Sequence, residues 1–167
     1  SSAITYGIYL SKIIDGSVGN WEISMNSSTT GVYGIKLEDS SNSSIENSTF
    51  NSNRSTVSGN ATGVSITGSS IEISSDNKIT NCSACGNLCA YVDNKESIGI
   101  NISEFSSYNT IQNSITMRQN CNKLNNNNNP QFFPSSYGIK INSSNYNQII
   151  ENKSGYIYNK SALPNNF

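Results

Sequence analysis

Histidine is absent from this 167-residue chain. That removes the commonest general base and the commonest zinc ligand. It also excludes Ser-His-Asp and Cys-His nucleophile systems. Charge is scarce too. Only 13% of residues are charged and the formal net charge is -1, against about 25% charged residues in an ordinary domain. The two arginines, Arg54 and Arg118, are far apart in the chain. Nucleic acid is held by clustered Lys and Arg, so no nucleic-acid partner is expected. Alanine is sparse, and no segment sustains a 3.6-residue apolar period between helix caps. No apolar run approaches the ~20 residues that cross a bilayer, so no membrane span is expected. No signal-peptide pattern opens the chain, and a mature form is expected.

Asn, Ser and Thr fill the space, with a pure Asn run at residues 125–129. Such polarity suits disorder, but regularly spaced Ile, Val and Leu argue for a fold. A Gly-aliphatic-x-aliphatic stretch occurs five times, at Gly7, Gly34, Gly63, Gly99 and Gly138. Tyr137-Gly138-Ile139-Lys140-Ile141 and Tyr33-Gly34-Ile35-Lys36-Leu37 are two of these. Aliphatics at period two lie on one face of a strand. A second marker, aliphatic-x-Asn, follows each one and ends at Asn20, Asn47, Asn81, Asn113 and Asn152. The Gly-to-Asn distance is 13 or 14 residues in four units and 18 in the third, where residues 69–74 read as an insertion. Ser, Asn and Asp clusters between the markers carry turn chemistry. A third apolar segment follows the Asn: Trp21 and Ile23, Phe50, Ile115 and Met117, and residues 156–158. One unit therefore reads strand, polar turn, strand, Asn corner, strand, variable loop. The extra length of later units falls in loops at 84–95 and 121–134. A β-sandwich would also be all-β, but it does not explain two markers recurring in phase.

Gly-Ile-x-Leu, Ser-Ser-x-Asn and Asn109-Thr110-Ile111-Gln112-Asn113 resemble the parallel β-helix repeats of NosD-like and pectate-lyase-like carbohydrate-associated proteins. The resemblance spans nearly all of residues 6–158. It implies one domain over residues 1–167: a right-handed parallel β-helix of about five coils, with three short strands per coil. Equivalent residues of successive coils would then lie one strand spacing apart, about 4.8 Å. Asn20, Asn47, Asn81, Asn113 and Asn152 are expected to form a buried amide ladder, each side chain bonding the next.

Cys89 and Cys121 each lie 8 residues after a marker Asn. They are expected to sit side by side and form a disulfide, leaving Cys82 and Cys85 to close a small loop. A metal site made of four thiolates is the competing reading of the same cysteines. Disulfides in an Asn/Ser-rich chain suit an oxidising, extracellular setting. Asn-x-Ser/Thr sequons are abundant. Asn26, Asn53, Asn60 and Asn159 are expected in loops and are the glycosylation candidates, whereas Asn47, Asn81 and Asn152 are expected inside and unmodified. Tyr6, Tyr33 and Tyr137 open three of the five strands; they either stack to support the coils or bind sugar rings.

A glycosidase needs two facing carboxylates. Glu46 and Glu151 share a unit position but lie three units apart, about 14 Å at strand spacing. Glu38, Asp39 and Glu104 follow first strands; solvated surface carboxylates are the expected reading, with convergence on Asp76 as the alternative. No catalytic residue, metal or cofactor is expected. The function expected is a structural subunit of an extracellular filament, sheath or surface layer. Such a chain would be its own partner, stacking through Ile8, Leu10, Ile139 and Ile141 and carrying or contacting glycans. The alternatives are a carbohydrate-binding or polysaccharide-cleaving β-helix, and a surface adhesin acting through its long loops.

Overall fold

The computed structural model describes residues 4–24, 26–28, 30–55, 59–90, 95–117, 119–122, 135–154 and 157–160. Its described residues form strands and turns with no helix, and every strand pairing among them is parallel. The largest sheet has six strands in chain order: β1 (Thr5–Ser11), β2 (Val32–Glu38), β3 (Ala61–Thr67), β4 (Glu96–Ser103), β5 (Ser135–Asn142) and β6 (Ile157–Lys160). The repeated stretches meet in register. Ile8 pairs with Ile35, Ile35 with Val64, Val64 with Ile100 and Ile100 with Ile139. A five-stranded sheet aligns Val18, Ile45, Ile79, Ile111 and Ile149 in the same way. Aliphatics from both sheets, with Phe50, Cys82 and Ala84, bury one continuous apolar core.

The five repeated glycines are required by space. A Cβ on Gly34 would lie 2.8 Å from the Cβ of Phe50, and one on Gly99 would lie 2.8 Å from that of Thr116. The side chain three residues after Asn20, Asn47, Asn81, Asn113 or Glu151 presses here against the back of the large sheet.

Each of the first three units contributes four short strand segments and the fourth five, where three were expected; the fifth has three among the described residues. The missed face consists of Ser27–Ser28, Arg54–Ser55, Leu88–Ala90 and Asn120–Asn122, which form a sheet of their own. Leu88–Ala90 lies within one of the spans read as insertions, 84–95, and Asn120–Asn122 overlaps the start of the other, 121–134. Residues 91–94 and 123–134 lie outside the described residues.

Corners between segments take left-handed backbone: Asp39 (φ 50), Asn42 (φ 51), Asn47 (φ 48) and Ser52 (φ 56) in the second unit. Asn and Asp tolerate this conformation better than other side chains. Here the expected Asn ladder is overturned. Asn20, Asn47, Asn81 and Asn113 stand at left-handed corners with exposed side chains, although Asn81 does donate to Asn47 at 3.2 Å on the outside. In the last unit the phase slips by one. Ile149, and not Ile150, pairs with Ile111. Glu151 therefore takes the corner (φ 52), and Asn152 turns in to accept from the Ser114 N–H at 2.7 Å.

The buried ladders lie elsewhere. Asn109 Oδ1 accepts from Asn77 N and Nδ2, and Asn147 Oδ1 accepts likewise from Asn109. A second file runs Asn26, Asn53, Asn87, Gln119. Each amide bonds both the neighbouring side chain and its backbone N–H, so polar groups inside the corners are satisfied.

The unit also continues past its expected end. Residues 156–158 are expected as the third segment of the last unit, yet β6 (Ile157–Lys160) pairs with β5, Ile139 against Ile157. Ile139 and Ile141 are consequently flanked on both sides and fully buried. They are core residues and not an assembly edge.

Candidate functional site

The outward face of the large sheet is built by the variable residue of each repeat. Lys36, Ser65, Asn101 and Lys140 form one row across β2, β3, β4 and β5. Tyr33, Thr62, Ile98 and Tyr137 form a second row, and Glu38, Thr67, Ser103 and Asn142 a third. In all three rows β3 carries a short hydroxyl side chain. On β2 and β5 the first two rows carry Tyr and Lys. Two tall ridges thus stand three strand spacings apart, about 14 Å, with a low floor between them. The result is a polar cavity of about 250 Å³.

Ser65 is 1% exposed and Thr67 8% exposed, although both point outward, because the ridges overhang them. Asn60 and Glu104 close the two ends of the floor. Thr67 Oγ1 is buried and has no hydrogen-bond partner. Tyr6 stacks on one face of Tyr33, with centroids 5.3 Å apart and planes 14° apart. Tyr6 lies on the β1 side, so the other face of Tyr33 borders the cavity.

The charges in the ridges are paired. Lys140 Nζ bonds both oxygens of Glu96 at 2.5 and 2.6 Å and lies 5.4 Å from the Tyr137 ring centre. Lys36 donates to Glu38 at 2.6 Å, and Tyr9 donates to the other oxygen of the same carboxylate. The bond from Lys36, then that from Tyr9, holds the Glu38 carboxyl below its ordinary range. Burial pulls Lys36 down, but the bonded carboxylate outweighs it and leaves the ammonium raised. Burial pushes the Tyr33 hydroxyl up. Glu38 is therefore an ionised anchor and not a proton donor.

The alternative carboxylate cluster is not assembled. Asp39 and Asp76 occupy two different corners, and of the four residues Glu104 alone lines the cavity, beside Glu96. Glu46 ends a strand while Glu151 is a corner residue, so they do not share a position. Among the described residues, no three His, Cys, Asp or Glu side chains come together as a metal site. Cys82 and Cys85 are free thiols, which corrects the expected small loop. Cys82 points into the core in the file of Ser48 and Ser114, donating toward Thr80 O at 3.3 Å, and burial raises its pKa. Cys85 is half-exposed and lies 3.5 Å from Ser83 Oγ. Cys89 and Cys121 are register partners in neighbouring strands, but their side chains lie outside the described residues.

Burial runs against the sequon reading at Asn53, Asn47 and Asn81 and with it at Asn152. Asn53 is fully buried in an amide ladder, and Asn26 donates to it at 3.1 Å. Asn60 accepts from the Glu96 N–H at 3.0 Å. The side chain of Asn159 lies outside the described residues. Asn47 and Asn81, expected inside, are exposed. Ile8 and Leu10 lie on β1 and are partly buried against the core.

No protein-family description, curated protein or solved structure matches this chain. The site must therefore be read from its own chemistry. Its floor residues Thr62, Ser65, Thr67 and Asn101 were not singled out in the sequence. Their signal was the residue left variable between the two aliphatics of each repeat: Tyr9, Lys36, Ser65, Asn101, Lys140.

Proposed function

We propose that the chain is an extracellular right-handed parallel β-helix of about five coils whose outward face binds an uncharged, polyhydroxylated ligand, a segment of glycan. The coil reading draws on the in-register parallel repeats and on the resemblance to carbohydrate-associated β-helix repeats. The binding reading is carried by the cavity itself, whose floor of Thr62, Ser65, Asn101 and Ser103 lies between the two ridges. Thr67 Oγ1 is shut in without a partner at its edge, a cost that a ligand hydroxyl relieves once the side chain turns toward the cavity. The rest of the lining agrees. Hydroxyls and an amide on the floor both donate and accept, as sugar hydroxyls do, and a Tyr face forms one wall. The ridge lysines are already neutralised by Glu38 and Glu96, so an anionic ligand meets no unpaired cation there. Binding without cleavage is the role proposed.

Replacing Thr67 by Val tests this. The substitution removes the hydroxyl and no bond to protein, so the melting temperature should hold or rise slightly. Affinity for an uncharged oligosaccharide should fall up to about tenfold, the worth of one neutral hydrogen bond. Calorimetry against glucan, xylan and mannan fragments measures it. Unchanged affinity in the variant, or no binding of any fragment by the parent, would defeat the reading.

A second reading, end-on self-assembly into a filament or surface layer, is favoured by one observation. Ile8, Leu10, Val18 and Ile23 are only partly buried, whereas their register partners Ile35, Leu37, Ile45 and Phe50 are 0–1% exposed. Among the described residues β1 also pairs on one side only. A parallel strand layer from a second copy would cover that apolar end and its unpaired backbone. Leu10→Lys should then abolish concentration-dependent association in sedimentation runs. A parent that stays monomeric at high concentration removes this reading.

A further inference from the structure

The cavity floor runs along β3 and β4, so a chain ligand lying in it follows the strands. At the far end it meets Glu104. Phe105 comes next, and both residues take left-handed backbone (φ 51 and 50) as the chain turns the corner. Three residues on, Tyr108 (φ 60) makes the following corner, and Tyr146 (φ 56) makes the same corner in the next unit. Their rings stack at 5.1 Å and 11°. Phe105, Tyr108 and Tyr146 are 54%, 57% and 41% exposed.

Two costs coincide here. Left-handed backbone is a true outlier for a bulky side chain, and the aromatic rings face water. The corner itself needs neither. Asp15, Asn42 and Asp76 make it in the first three units with residues suited to that backbone. The aromatic versions occur in the fourth and fifth units, whose first strands β4 and β5 give the cavity part of its floor and one ridge.

We propose that Phe105, Tyr108 and Tyr146 form a second subsite that extends the cavity, holding sugar rings of a glycan chain as it leaves over Glu104. This rests on the groove reading above. The ligand chemistry is continuous: an uncharged hydroxyl-lined floor leads to uncharged ring surfaces, which take the C–H faces of sugars. The chain must be longer than the cavity to reach them.

The test is chain-length dependence. Tyr108→Asn gives the corner the residue type of Asn42 and should melt at or above the parent. Disaccharides and hexasaccharides of the glucan, xylan and mannan series are titrated into parent, Tyr108→Asn and Thr67→Val. The parent should bind the hexasaccharide more tightly than the disaccharide. Tyr108→Asn should lose about tenfold on the hexasaccharide, the scale of one aromatic contact, and leave the disaccharide unchanged. Thr67→Val should weaken both. If Tyr108→Asn leaves the hexasaccharide's advantage intact, or weakens both ligands equally, the second subsite is overturned while the groove stands. If neither length binds the parent, the groove reading falls and the subsite with it. Tyr146→Asn repeats the comparison should Tyr108→Asn melt below the parent.

Discussion

Asn109→Leu should lower the free energy of unfolding by about 3–5 kcal/mol, whereas Asn113→Leu, four residues away, should cost only about 1–2 kcal/mol. Asn109 is fully buried. Its Oδ1 accepts from Asn77 N at 2.9 Å and Asn77 Nδ2 at 3.1 Å. Its Nδ2 donates to Ser74 O at 3.3 Å and Asn147 Oδ1 at 3.2 Å. Leu fills similar volume and satisfies none of the four. Each orphaned buried group costs about 1–3 kcal/mol, and part of the sum relaxes away. Asn113 is exposed at a left-handed corner (φ 50), so Leu there loses only the backbone tolerance of Asn. Asn113→Gly, which keeps that tolerance, should change stability by less than about 0.5 kcal/mol. Urea unfolding of the three variants decides the matter. Equal losses for the two Leu variants would mean that the inside and outside of this corner are exchanged.

That pair of asparagines shows where sequence reasoning stopped. The repeat of Gly-aliphatic-x-aliphatic led to strands at β1 through β5 and to their register, because two aliphatics at period two leave one burial choice. Asn offers no such choice. It serves a buried ladder at Asn77 and Asn109 and a left-handed corner at Asn47 and Asn113, and both uses recur at the same period. The aliphatic-x-Asn marker found the corner and was taken for the ladder. In the last unit, Ile149-Ile150-Glu151-Asn152 offered two aliphatics in sequence, and the marker fell one residue late. Only the pairing of Ile149 with Ile111 fixes the phase. The β6 strand was missed for a related reason: residues 157–160 follow the last marker, and a third segment and a new first strand have the same apolar pattern.

The site was less legible than the fold. Its floor includes Thr62, Ser65, Thr67 and Asn101, ordinary surface residues in a chain rich in Ser, Thr and Asn. They become a cavity only because Lys36 and Lys140 occupy the same row on either side. Attention to carboxylates led to Glu38 and Glu104 on the correct face, but for acid–base chemistry that the Lys36 bond to Glu38 opposes.

Gly63→Ala should cost about 3 kcal/mol or more, a large loss for one added methyl. Gly63 lies in β3 beneath the cavity floor. A Cβ there would stand 2.7 Å from the Cβ of Ala84, 2.7 Å from Gly99 O and 3.1 Å from Asn87 Nδ2. Gly99 O belongs to the backbone of the neighbouring strand and cannot rotate away, so β3 and β4 must shear or part. Asn87 belongs to the second amide ladder and is bonded to Gln119 at 3.0 Å, so its displacement spreads the loss. Ala84→Gly in the same chain removes one of the three obstacles and should restore only part of the stability, with a coupling of about 0.5–1.5 kcal/mol in the double-mutant cycle. Full restoration would assign the whole constraint to Ala84 and make the strand backbone compliant. No restoration, with Gly63→Ala still strongly destabilising, would place it on Gly99 O and Asn87. A Gly63→Ala chain as stable as the parent would mean that the large sheet does not lie this close to the segment behind it.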